Sequence, residues 1–326
     1  MSTTLVTGGA GFIGSHLVEE LLARGRRVVV LDDLSAGSPA NLAAVRDHPR
    51  LRVVVGDVGD ADRLAALLDE AAEVYHLAAV VGVRRVLDEP ARTTATNLGG
   101  AELLLRLAAD RRTPVFLASS SEVYGKSPKV PLSEDDDLVL GPPAAGRWVY
   151  ALGKALGESL ALGYHRGAGL PVVVGRFFNV VGPRQVGRYG MVLPRFVARA
   201  LAGRPLAVHG DGRQVRCFAH VADVVRGVLD LMACPDARGR VFNLGGDEPV
   251  TIRALAERVA ALVAPGAAIE HVPYDEAYGP GFEDVRCRVP DLARARAVAG
   301  YRPRLGLDDA VRDLAAGMRA DPAGVR

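Results

Sequence analysis

Thr4-Leu5-Val6-Thr7-Gly8-Gly9-Ala10-Gly11-Phe12-Ile13-Gly14 decides how this chain of 326 residues folds. Leu5 and Val6 belong to a short apolar run that reads as a strand, and the glycines interrupt it just before a helical pattern begins. Gly8, Gly11 and Gly14 stand three apart, and each lacks a side chain for a reason. A bare backbone permits the tight turn, approaches a ligand closely and brings helix against strand. The helix N-terminus behind the turn presents free amide donors and positive potential, which suits a pyrophosphate. On this stretch alone, a glycine-rich turn without a ligand is the competing reading.

Outward from the turn, Val/Leu runs at 28–32, 51–56, 73–76 and 114–119 alternate with longer helical patterns. The alternation predicts an α/β chain with a Rossmann-type, doubly wound parallel sheet. Val28-Val29-Val30-Leu31 has no polar alternation, so helices are expected on both faces of the sheet. A helix near 149–165 leads to a further strand at 172–176. Past Arg176, Gly182-Pro183, Gly203-Arg204-Pro205 and Gly210-Asp211-Gly212 cut the chain into short pieces. The expected division is a dinucleotide-binding domain over 1–176, rejoined by segments at about 220–245, and a smaller C-terminal α/β substrate lobe mainly over 177–326. A helix near 251–263 is expected to weave between the two.

Asp32 ends the second strand, where an acidic residue accepts from the adenosine ribose hydroxyls and repels a 2'-phosphate. NAD is therefore the expected cofactor, and Arg24, Arg26 and Arg27 upstream read as a solvated helix end. Asp57-Val58 suits the adenine edge, and Leu77-Ala78-Ala79 suits the pyrophosphate channel, with His76 before them read as a core histidine. Phe12, Ile13 and Asn97 complete the expected cofactor set.

Composition excludes several classes. Hydrophobic residues make up 49% and charged residues 24%, with a net charge of only +2. The basic residues are scattered, so the stripe that nucleic acid requires is missing. Cys217, Cys234 and Cys287 are far apart and lack a Cys-x-x-Cys pair, so no disulfide framework or metal site is indicated. No run approaches membrane-spanning length and no leader-like start is seen, so the expected location is the cytoplasm with no membrane partner.

Tyr150-Ala-Leu-Gly-Lys154 places a phenol and an ammonium one turn apart on a helix. The cation can lower the phenol's pKa until it takes a proton from a sugar hydroxyl. In isolation such a pair could equally decorate a surface helix. It is supported by Ser119-Ser120-Ser121-Glu122-Val123-Tyr124-Gly125, which ends the fifth strand at the sheet's ligand-binding edge. Together with Arg176-Phe-Phe-Asn179 and Gly182-Pro-Arg, these motifs resemble the extended short-chain dehydrogenases/reductases that rework nucleotide sugars. The resemblance runs along nearly the whole chain. It implies that Ser120 shares the proton network with Tyr150 and Lys154, and that relatives often pair as homodimers through helices near 92–109 and 149–165.

The same resemblance bears on the reaction. In the 4,6-dehydratases of this family an Asp follows the Ser/Thr; here Ser121 does, and a hydroxyl is too weak an acid to protonate a leaving hydroxide. Ser121-Glu122 is similar to the Ser-Glu pair of UDP-glucuronate decarboxylases, and Arg147-Trp148-Val149-Tyr150 and Arg216-Cys217-Phe218 resemble segments of those enzymes. Glu122 alone does not separate the reactions, because dehydratases also carry Glu there. Nucleotide-sugar 4-epimerisation is the competing outcome, and a non-catalytic dinucleotide sensor a more distant one. Arg216 is expected on the substrate diphosphate, as are Asn179 and Arg286. Arg286 lies among Glu283, Asp284 and Arg288, where a plain surface charge is an equal alternative.

Overall fold

The computed structural model describes residues 2–82, 88, 90–142, 145–187, 191–278 and 285–320. Seven parallel strands form the main sheet. Six come from residues 1–177: β1 (Thr3–Thr7), β2 (Arg27–Asp32), β3 (Leu51–Val55), β4 (Ala71–His76), β5 (Val115–Ser120) and β6 (Val172–Phe177). In the second half the chain makes β7 (Val180–Val181), β8 (Leu206–His209), β9 (Val215–Cys217) and β10 (Ala219–His220), then returns as β11 (Arg240–Leu244). The order across the sheet is β11-β6-β5-β4-β1-β2-β3, with the reversal between β1 and β4.

The apolar strand runs follow from this burial. Val6, Val28, Val30, Phe116 and Phe242 pack on one face with the helix Phe12–Ala23 and the helix Val221–Ala233. Their neighbours Leu5, Val29, Leu31, Leu117 and Val174 pack on the other, under the helices Ala61–Glu70, Gly100–Arg111 and Val149–Ala168. Side chains alternate across a strand, so a strand covered twice is apolar at every position. Asp60 caps one of these helices by accepting from the Arg63 amide, and the left-handed Gly169, at φ 68°, ends the longest.

A second core belongs to the lobe, where the helices Val192–Leu201, Ile252–Val263 and Leu307–Ala320 enclose Leu193, Phe196, Leu255 and Leu314 beside β8. Here β8 pairs with β13 (Ile269–Val272), and β9 lies between β12 (Pro249–Thr251) and β14 (Cys287–Arg288). The helix Ile252–Val263 therefore packs wholly within the lobe core instead of weaving back. A return that the sequence left unmarked occurs later: Leu292, Ala295 and Tyr301 join the core of the main sheet.

Candidate active site

The carboxyl ends of the central strands open onto a cleft of about 520 Å³ that reaches from the glycine turn into the lobe. Its position at the reversal of strand order is where doubly wound sheets bind ligands. Gly8 is left-handed at φ 72°, and a Cβ there would meet the Ala78 amide nitrogen at 2.7 Å. At Gly14 a Cβ would fall 2.1 Å from the Gly8 carbonyl oxygen. The turn thus has room for backbone and ligand only. Asp32 accepts from the amides of Ala10 and Leu34, both at 2.9 Å, and lines the cleft beside Gly37. Burial lifts its carboxyl above the ordinary value while those amides oppose the rise.

Phe12, Ile13, Asp57, Val58, Leu77, Ala78 and Ala79 also line this end. His76 is a core residue hydrogen-bonded to the Thr7 hydroxyl at 2.8 Å; burial lowers its pKa to about 3, which keeps it neutral. Asn97, expected in the cofactor set, is buried against the Val80 backbone. Its side chain accepts from the Val80 amide at 2.7 Å and donates to the Val80 carbonyl at 3.0 Å, so it shapes the cleft wall without lining it. The expected helix near 92–109 is interrupted here by a π-turn, Ala95–Gly99, and Thr96 is the residue that reaches the cleft.

Tyr150 and Lys154 face the cleft from the helix Val149–Ala168. Ser120 and Tyr150 both line this part of the cleft, and the nearby Ser120 hydroxyl lowers the phenol's pKa, partly offsetting the upward push of burial. Lys154 Nζ lies 5.9 Å from the centre of the Tyr150 ring and donates to the Ala118 carbonyl at 2.8 Å. Burial lowers the Lys154 pKa to about 8, with Glu158 opposing. At neutral pH the group is therefore mostly an ammonium, and it loses its proton as pH rises through about 8. The fifth strand delivers Ser120 here because the chain turns sharply at Ser121–Tyr124, where Ser120 Oγ accepts from the Glu122 amide at 3.2 Å.

Ser121 is buried and lines the cleft beside Glu122. Glu122 accepts from Arg288 Nη1 at 2.7 Å and has Arg147 Nη2 at 3.8 Å. Burial alone would raise its pKa, yet Arg288, Arg147 and Arg216 hold it below the usual glutamate value. It is a carboxylate at neutral pH. Asn179, left-handed at φ 38°, donates to the Cys217 carbonyl at 2.8 Å, and Arg216 donates to the Val215 carbonyl at 2.9 Å; both line the cleft.

Arg286, left open between a diphosphate contact and a surface charge, lies at the surface. Its side chain is 79% exposed, 3.8 Å from Asp211, and outside the cleft. Arg288, two residues later, is the buried arginine at the site. Gln214, which donates to the Tyr274 hydroxyl, and Arg195, which donates to His209 at 2.7 Å, wall the far end. Nothing in sequence spacing marked those four, because they come from separate short pieces of the lobe.

Comparison with known proteins agrees with this arrangement. Residues 4–245 match the NAD dependent epimerase/dehydratase family. The chain is 36% identical over 310 residues to a UDP-N-acetyl-alpha-D-glucosaminuronate decarboxylase of Bacillus cytotoxicus, covering 95% of each. It is 37% identical over 303 residues to UDP-glucuronic acid decarboxylase 1 of Arabidopsis thaliana, covering 93% of this chain and 66% of that one. Among solved structures, the dTDP-glucose 4,6-dehydratase DesIV of Streptomyces venezuelae, with NAD bound, superposes with a TM-score of 0.89 at 33% identity over 99% of both chains. The chain belongs to the NAD-dependent epimerase/dehydratase family, the extended short-chain dehydrogenases/reductases. The glycine cradle and the Asp32 carboxylate fit that family's cofactor.

Proposed function

We propose that this protein is an NAD-dependent UDP-glucuronate decarboxylase. The observation that carries the reading is the Glu122–Arg288 pair, with Arg147 beside it, at the Ser120–Tyr150 end of the cleft. Three arginines against one glutamate give this region excess positive charge, which suits a substrate bearing both a diphosphate and a carboxylate. Among the described residues, the Ser121–Glu122 end of the cleft holds no residue in the role of a dehydratase acid. Ser121 carries only a hydroxyl, and the arginines keep Glu122 ionised, so neither donates a proton readily.

Tyr150 takes the proton of the sugar C4 hydroxyl, with Ser120 beside it in the cleft and Lys154 supporting the phenolate. NAD, when bound, supplies the hydride acceptor for that carbon and afterwards the donor. With a ketone at C4, the C6 carboxylate belongs to a β-keto acid. The C5–C6 bond then breaks, its electron pair enters an enolate and carbon dioxide leaves. Ser121 is placed to orient the departing carboxylate, and the arginines balance charge on the carboxylate and the enolate. C5 recovers a proton. The product is UDP-xylose, or a UDP-4-keto-pentose where release precedes reduction.

Product analysis tests this. Incubation with UDP-glucuronate and NAD is expected to release carbon dioxide and yield a pentose nucleotide; recovery of UDP-galacturonate alone would replace the proposal with 4-epimerisation. The reading also places the enzyme in the cytoplasm as a homodimer. Leu156, 51% exposed on the helix Val149–Ala168, supports pairing through that helix and Gly100–Arg111. Light scattering at micromolar concentration checks the oligomeric state.

A further inference from the structure

The helix that carries Tyr150 and Lys154 carries a third residue on the same stripe, Glu158, one further turn along. These three residues meet three consecutive residues of β5. Tyr150 faces Ser120 in the cleft, Lys154 donates to the Ala118 carbonyl at 2.8 Å, and Ser119 Oγ donates to Glu158 Oε1 at 2.5 Å. Behind Glu158, Arg176 of β6 donates to both carboxylate oxygens, from Nε at 3.0 Å and Nη2 at 2.7 Å. The same guanidinium lies 4.7 Å from the centre of the Tyr124 ring, at the end of the Ser121–Tyr124 turn. Glu158 is 4% exposed and does not line the cleft.

We infer that Glu158 is a positioning residue for the oxidation step: it seats β5 so that Ser120 meets Tyr150, and it supplies the negative charge that keeps Lys154 an ammonium. Strand alternation explains the seating. Ser119 points back to Glu158, so its neighbour Ser120 must point forward into the cleft. Groups facing Lys154 leave little else to hold its charge. His76 of β4 is neutral, β5 offers the Ala118 carbonyl, Tyr150 is an un-ionised phenol, and Arg176 is turned to Glu158. Glu158 is the charged group that opposes burial at Lys154.

The inference rests on Tyr150 and Lys154 as the oxidising pair, but its test does not require turnover. Lysines number only three, Lys126, Lys129 and Lys154, so side-chain carbon-13 labelling gives a spectrum in which Lys154 is titrated directly. In Glu158→Gln the Lys154 midpoint is expected to fall by about one pH unit, because the opposing charge is gone while burial stays. The alkaline limb of kcat follows it, kcat at neutral pH drops by about twofold as the ammonium fraction falls, and KM stays near wild type. Glu158→Asp restores the limb, and Ser119→Ala lowers kcat with the Lys154 midpoint unmoved. Should Glu158→Gln fail to fold, Glu158→Gln/Arg176→Met removes both buried charges together and is read in the same way. A Lys154 midpoint and alkaline limb unchanged in either charge-removing variant overturn the electrostatic role, and wild-type kcat in Ser119→Ala overturns the seating role. A wild-type protein inert to every nucleotide sugar would instead count against the proposed function, leaving the lysine titration to stand alone.

Discussion

Arg288 on β14 donates to Glu122 after β5 at 2.7 Å, so a strand of the lobe is tied to the catalytic turn of the sheet across a separation of 166 residues. Arg288 is buried at that contact, whereas Arg286 is 79% exposed on the rim. The pair makes the first prediction. Arg288→Gln is expected to lower carbon dioxide release by roughly a hundredfold, the scale of losing one charged stabilising donor. NADH absorbance persists in this variant, because Tyr150 and Lys154 are intact. Arg286→Gln is expected to match wild type in kcat/KM; if it fell as far as Arg288→Gln, the assignment would be reversed.

Tyr150→Phe keeps the ring and its packing but loses the hydroxyl beside Ser120 in the cleft. Turnover is expected to fall by roughly a thousandfold or more, within the range of general acid–base effects, while NAD binding measured by calorimetry stays near wild type. Turnover close to wild type would remove Tyr150 from the proton path.

Lys154 gives activity and stability opposite pH dependence. Its folded pKa of about 8 lies below the ordinary 10.5, so between these values the unfolded chain binds more protons than the folded one. The contribution of this group to stability therefore rises as pH climbs through that window. Below pH 8 both states hold the proton and the cost of burying the ammonium is fully present. Catalysis runs the other way, since the neutral amine no longer supports the phenolate. Lys154→Met is expected to raise stability at pH 7 by about 1–3 kcal/mol while abolishing turnover, read by denaturant titration alongside product assay. A less stable variant contradicts the prediction.

Asp32 anchors the cofactor end. Asp32→Ala removes the carboxylate expected at the ribose hydroxyls and also its bonds to the Ala10 and Leu34 amides. NAD affinity is expected to weaken roughly tenfold to a hundredfold, as for loss of charged hydrogen bonds, and the gap between NAD and NADP to narrow. Fluorescence titration with both dinucleotides measures it. An unchanged ratio would mean that discrimination lies elsewhere.

The main sheet was legible because its strands are buried on both sides. Val28-Val29-Val30-Leu31 announces itself without alternation, and the observed Arg27–Asp32 differs from the expected 28–32 by one residue. The glycine turn and the Tyr150–Lys154 spacing were legible because local backbone geometry and helical repeat dictate them. Three things were not. The π-turn at Ala95–Gly99 depends on Asn97 meeting Val80 across a loop, a contact without a local pattern. The late return through Leu292, Ala295 and Tyr301 rests on one short helix, Ala293–Ala299, whose small residues carry little periodicity. Arg288 was hidden among like charges, since charge shows neither register nor burial until the strand beside it is paired.

The place of β11 beside β6 bears on how the molecule could be cut. Val241 and Leu244 pair with Val174 and Phe177, so the outermost strand beyond β6 is made from residues that lie between two parts of the lobe. A fragment ending at Arg176 would leave β6 as a bare apolar edge, with unsatisfied amides open to self-association. The two halves that share the cleft are therefore not exchangeable modules. Substrate preference in this chain would have to be altered residue by residue within the lobe, because swapping the lobe as a block also removes a strand from the floor that holds the cofactor.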